Sequence, residues 1–176
     1  RIAIFLLTFT ALFLTGCKSQ DPAVKAAEEA EQRILFDKAV QALNNREFVV
    51  EADRITFKRG NSTYVSAATN FISVHGEKGT IQMAFNSPYA GPNGIGGITV
   101  DGSVSNFKTE TDEKGNVTIS MSVFGVGVSA SVTIRMSNGT NQCSATVYPN
   151  FNSNVTTFTG YVYAEEDSNV FKGRAL

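Results

Sequence analysis

The 176 residues contain no tryptophan, a single histidine and only two cysteines. The lone histidine, His75, has no acidic or thiol neighbour in its own segment, so that stretch offers neither a metal set nor a catalytic triad. Charge is scarce and balanced, with 15 Lys+Arg against 16 Asp+Glu. A balance that even gives no reason to expect nucleic acid as a partner. Long apolar runs are missing but for one, from Ile2 to Leu14. That run is shorter than the ~20 residues a membrane-spanning helix needs, so an integral helical membrane protein is not expected.

The one run has the length of a signal-peptide apolar region, with Arg1 ahead of it and Leu14-Thr15-Gly16-Cys17 behind. The chain opens at Arg1 rather than Met, so a further basic residue is expected before it. Small residues ahead of a cysteine at the end of an apolar run form a bacterial lipobox. In such a signal the peptide before the cysteine is removed, and Cys17 becomes the acylated first residue. Residues 1–16 are thus expected to be a signal peptide, residues 17–45 a lipidated cysteine and tether helix, and residues 46–176 one domain. Of the charged residues only Arg1 falls in the removed segment, which leaves 14 basic against 16 acidic and a net charge of −2. With Cys17 carrying lipid, Cys143 stands alone and no intramolecular disulfide can form. Cys143 shares strand parity with Ala145 and Val147, and Gln142 and Ser144 supply no basic neighbour, so it reads as a buried small apolar residue. Lys18 and Ser19 lack the aspartate that retains lipoproteins in the inner membrane, which makes the cell envelope, at the outer membrane, the expected location.

Asp21-Pro22 is a good helix start, an N-cap followed by proline at the first helical position. No glycine or further proline interrupts the sequence from Ala23 to Asn44. Phe36, Ala39, Val40 and Leu43 recur at helical spacing, with Leu35 beside them, whereas the same face earlier reads Glu29, Gln32, Arg33. The first half is expected to stand in solvent as a spacer, and the second half to dock on the domain.

From Glu47 the period changes to alternation. Phe48-Val49-Val50 and Ile55/Phe57 have opposite parity, which predicts a bulge near Ala52-Asp53. A short segment at Tyr64-Val65 follows, then Phe71 to His75, a turn over Gly76–Gly79, and Ile81, Met83 and Phe85 at period two. Val117, Ile119, Met121 and Val123 alternate with Thr and Ser, as do Val128, Ala130, Val132, Ile134 and Met136 with Ser, Thr and Arg. Each strand therefore buries one face and wets the other, as antiparallel sheets do. Asn138-Gly139 is a two-residue hairpin turn into the strand bearing Cys143. Val155 to Tyr163 forms a last strand, apolar on both faces, one of which is expected to receive the helix. Nine or ten short strands with no helix among them predict an all-β antiparallel meander. It closes into a small barrel or half-barrel after the N-terminal helix, with a two-sheet sandwich as the alternative.

The segment Ser87-Pro88-Tyr89-Ala90-Gly91-Pro92-Asn93-Gly94-Ile95-Gly96-Gly97 is the most distinctive loop. Phosphate-cradling glycine loops lead into a helix N-terminus; here Ile98-Thr99-Val100 leads into a strand. The loop instead reads as a wide connection needing positive φ at several positions, or as a rim contacting a ligand or partner through Tyr89, Pro92 and Asn93. Asp53, Asp101, Asp112 and Asp167 lie near turns, where aspartate is common for backbone reasons. The Asn-x-Ser/Thr triplets at Asn61, Asn116, Asn138 and Asn154 read as turn residues behind a bacterial signal. No catalytic residue, cofactor site or metal set emerges.

Phe48-Val49-Val50-Glu51-Ala52-Asp53, the run Gly91 to Val100, and Ser168-Asn169-Val170-Phe171-Lys172-Gly173-Arg174 resemble an uncharacterised lipoprotein family of Bacteroidota, domain of unknown function 4251. The resemblance covers nearly all of the mature chain. It implies a small barrel of lipocalin-like shape after an N-terminal helix, and it implies no activity. The expected function is therefore a non-enzymatic envelope lipoprotein, held to the membrane through Cys17, that binds a small apolar or amphipathic molecule inside the barrel. The alternative is a structural or protein-partner-binding module with a filled core. Interior volume separates the two.

Overall fold

The computed structural model describes residues 22–85, 91–150 and 154–175. A 24-residue helix, α1 (Pro22–Asn45), is followed by β1 (Glu47–Phe57), β2 (Ser62–Tyr64), β3 (Phe71–His75), β4 (Lys78–Ala84) and β5 (Gly97–Thr111). β6 (Val117–Gly125), β7 (Ser129–Met136), β8 (Gln142–Pro149) and β9 (Thr156–Ala164) complete the meander. Consecutive strands pair antiparallel from β3 to β9, and β1 pairs with both β3 and β9. Eight strands thus close into a barrel, and the short β2 extends the C-terminal half of β1.

The expected bulge is present: the β1–β9 register shifts between Ala52 and Arg54. It lets Phe48, Val50 and Ala52 point inward on one parity and Ile55 on the other, all fully buried. Gly160 sits opposite Ala52 on this seam, and a Cβ there would lie 1.9 Å from the Glu51 carbonyl oxygen. Only glycine lets β1 and β9 meet at this closeness. The turn into β8 is wider than the two-residue hairpin expected: six residues separate the paired Met136 and Cys143, and of Asn138-Gly139 only Gly139, at φ 81°, takes the left-handed conformation.

β5 is longer than its sequence implied. Only Ile98-Thr99-Val100 read as strand, yet pairing with β6 continues to Thr111. A register shift between Ser105 and Lys108, with Asn106 at φ 52°, changes the parity, so that Val104 and Phe107 face inward out of step. The bulge hides the alternation that would have announced the strand.

α1 behaves as two halves. Residues 22–34 are exposed, whereas Phe36, Ala39, Ala42 and Leu43 belong to the same buried cluster as the barrel interior. The helix packs on β9 and β1 and leads through Arg46 directly into β1, so it covers the barrel end where β1 begins and β9 finishes. At that end the Arg46 guanidinium lies 4.7 Å from the Phe107 ring centroid, and Phe107 packs against Phe48 at 6.4 Å.

The residues after β9 fold back over the outside of the barrel. Phe71, Gln82 and Thr99 form one outward row on β3, β4 and β5 and are nonetheless buried. Gln82 donates to the carbonyls of Thr69 (3.1 Å) and Phe171 (2.6 Å) and accepts from Thr99 Oγ1 (2.9 Å) and the Gly173 N–H (2.7 Å). Nearby, Lys172 pairs with Asp101 at 2.6 Å. Partial burial pushes the Asp101 carboxyl up, but hydrogen bonds from Lys172 and Thr80 and the Lys172 charge outweigh it and hold the group below its usual range. The tail is thereby clamped to the sheet through a polar network.

Candidate ligand-binding cavity

Cys17 and Tyr89 lie outside the described residues. Pro92 is exposed, and Asn93 is buried at 1% exposure, with its side chain turned toward the barrel wall. Its Oδ1 accepts the N–H groups of Ile95 (3.1 Å) and Gly97 (2.9 Å), and its Nδ2 donates to Thr99 Oγ1 (3.3 Å) and the Met83 carbonyl (3.4 Å). The Arg174 N–H donates to the Asn93 carbonyl at 3.0 Å. Gly91, Gly94 and Gly96 all have positive φ, as a wide glycine connection requires. Asn93 organises this turn and ties it to the tail.

His75 does acquire an acidic neighbour, from far along the chain: Glu165 Oε2 lies 2.6 Å from its Nδ1. The hydrogen bond to Glu165 and its charge raise the imidazole above its ordinary value. The pair lies in a shallow groove of about 470 Å³ at the helix end, beside Lys38, Glu47, Glu166 and Asp167. Among the described residues no three His, Cys, Asp or Glu side chains gather as a metal site. Cys143 points into the core, and burial, reinforced by the Asp53 charge, pushes its thiol up to about 12, so it is not a nucleophile at neutral pH.

A larger space lies at the other end. A cavity of about 790 Å³ opens where β1, β4 and β8 finish and β5, β7 and β9 begin. Its wall is Ile81 and Met83 of β4, Val100 of β5, Ala130 of β7, Val147 of β8 and Phe158 of β9; Phe57, Ile98, Val128, Pro149 and Val155 stand nearer the rim. Lys58, Arg59, Asn61 and Asn154 supply polar groups at the mouth. The volume lies within the few hundred to 1,000 Å³ typical of small-molecule sites, and an apolar wall with few polar groups is their usual lining. The half of the barrel nearer the helix is different. There Val117, Ile119, Met121, Ile134, Met136 and Cys143 pack with Phe48 and Leu43 and are essentially inaccessible.

A family model, domain of unknown function (DUF4251), matches residues 30–162, from the middle of α1 to β9. The chain belongs to the DUF4251 family. A crystal structure of a DUF4251 family protein from Bacteroides eggerthii is 45% identical to it, with a TM-score of 0.71, over 84% of this chain and 99% of the other. A search of the curated proteins gave no match. The lipocalin-like barrel after an N-terminal helix that the resemblance implied is the architecture of this DUF4251 chain. In it, wall residues such as Ile81, Met83 and Ala130 were legible only as alternating apolar strand positions, and the sequence pattern singled out neither Lys58 nor Arg59.

Proposed function

We propose that this DUF4251 chain is a non-enzymatic lipoprotein of the cell envelope, anchored by lipid on Cys17 at the outer membrane, that carries a small apolar or amphipathic molecule in its barrel. The observation that carries the reading is the 790 Å³ space in a barrel whose other half is tightly filled. An unfilled apolar volume of that size forgoes packing that natural cores otherwise make. Among the described residues the lining contains no carboxylate, imidazole or thiol, which favours holding a molecule over transforming it. The exposed first half of α1 fits a spacer between membrane and barrel.

The test is titration with an environment-sensitive apolar fluorophore. Saturable one-to-one binding, abolished by Ala130→Phe in a variant that still folds, supports the reading. Absence of saturable binding, or binding indifferent to that substitution, moves the proposal to the partner-binding module.

A further inference from the structure

The hairpin turns at the two ends of the barrel differ in kind. At the helix end the connections at 76–77, 112–116 and 137–141 contain only glycine and polar or charged residues. At the cavity end the β6–β7 connection is Val126-Gly127-Val128. The Gly125 N–H donates to the Val128 carbonyl at 2.8 Å and Gly127 has φ 72°, which makes a tight turn with Val126 at its tip. Such tips ordinarily carry Gly, Asn, Asp or Ser. Val126 is instead an apolar side chain, 81% exposed.

It does not stand alone. Phe57 at the end of β1, Ile98 at the start of β5, Phe124 beside the turn on β6 and Tyr148 near the end of β8 are each between 36% and 48% exposed. Their strands are spread around the barrel, so these side chains form a collar about the cavity mouth rather than a patch on one wall. Phe57 and Ile98 also line the cavity, which makes the collar continuous with its apolar interior. In the helix-end half of the eight strands, Tyr161 is the one comparably exposed large apolar side chain among the described residues.

The proposed anchor leaves this end free to meet a membrane. The exposed half of α1, residues 22–34, is about 20 Å long, and residues 17–21 add a reach of up to ~17 Å. The strands β6 to β9, of eight or nine residues, make the barrel at most about 30 Å tall. The tether is thus longer than the barrel.

Resting on the anchored-carrier reading, we infer that the collar is a membrane-docking surface: the barrel sets its mouth on a lipid leaflet, Phe124, Val126 and Tyr148 enter the interface, and the ligand passes between leaflet and cavity without crossing water. Exposed apolar surfaces of this kind mark membrane or protein contacts. Here, whatever covers the collar also covers the mouth. A folded protein would cork it, whereas a leaflet leaves the cavity open to the apolar phase in which an apolar ligand dissolves. Tyr148 adds a hydroxyl to its aromatic body, the combination that favours the membrane–water boundary.

The experiment uses the mature chain with Cys17→Ser, so that no acyl group holds it to lipid, and follows uptake of the apolar fluorophore from phosphatidylcholine vesicles. These vesicles carry no net charge, which keeps Lys58 and Arg59 out of the comparison. Uptake through contact is expected to speed up in proportion to protein concentration. Uptake through water would stay fixed at the rate of fluorophore escape from the vesicle. Val126→Asp with Phe124→Thr, both outside the cavity lining, is expected to slow uptake at least about tenfold while leaving affinity for the fluorophore in water unchanged. A rate independent of protein concentration, or one the double variant leaves alone, overturns the inference and leaves the cavity reading standing. Self-association lost in the double variant, with no vesicle contact, assigns the collar to a second copy and also overturns it. Absence of saturable fluorophore binding in water overturns the cavity reading, and the inference with it.

Discussion

Replacing Ala130 with leucine measures directly whether the barrel is hollow. Ala130 is 5% exposed and lines the cavity, whereas Ala145, on the neighbouring strand, is 0% exposed and lies between Ile134 and Phe158 with no part in the cavity wall. Leucine adds three carbons, and burying them is worth up to ~0.8 kcal/mol each. Ordering the side chain takes back ~0.5–1 kcal/mol. Ala130→Leu should thus stabilise the protein by ~1–2 kcal/mol, a rise of roughly 2–6 °C in Tm for a domain of this size. Ala145→Leu must displace packed neighbours and should cost ~1–3 kcal/mol. Both are read by thermal and urea unfolding, followed by circular dichroism, on ligand-free protein. If Ala130→Leu destabilises as much as Ala145→Leu, the space is not there and the reasoning from volume fails.

Two further outcomes follow from polar contacts. Gln82→Leu leaves Thr69 O, Phe171 O, Thr99 Oγ1 and Gly173 N without their partner, and should cost roughly 2–4 kcal/mol in urea unfolding. It should also expose the chain after Ser168 to faster carboxypeptidase digestion; an unchanged digestion rate would show that the tail is held by something else. His75 should titrate by NMR above the ordinary histidine value of ~6.5, returning toward it in Glu165→Gln. Because the folded state favours the protonated imidazole, the stability this pair contributes is present in full below ~6.5 and is lost as pH rises through the higher folded value. The pair is about half exposed, so its weight is small.

The barrel was legible because its strands obey local rules. Val117–Val123 and Val128–Met136 alternate without interruption, Asn138-Gly139 sets a hairpin, and the parity change between Val50 and Ile55 locates the bulge on the closing strand. What escaped was non-local or masked by irregularity. Asn106 and Phe107 break the period of β5 with a bulge, so its second half looks like a loop. Gln82 and Thr99 sit on the face that alternation assigns to solvent, and only contact with Phe171 and Gly173, 89 and 91 residues from Gln82, buries them. Asn93 looked like a rim residue because asparagine in a glycine loop has no inward signature; its place follows from which N–H groups it must satisfy. The cavity itself was invisible, since Ile81 and Val100 around the open space and Ile119 and Val132 in the filled half are written in the same alphabet. Hollowness is a property of the packing of eight strands together. No one strand encodes it.

The most direct test of the central claim is the mass of the protein from Ser19 to Leu176, purified after exposure to an envelope lipid extract and measured under native and then denaturing conditions. A hollow carrier is expected to show a discrete added mass, one equivalent per chain, that disappears on denaturation and is absent from Ala130→Phe. Identical native and denatured masses after that exposure would contradict the account, and the barrel would then be a scaffold for a protein partner.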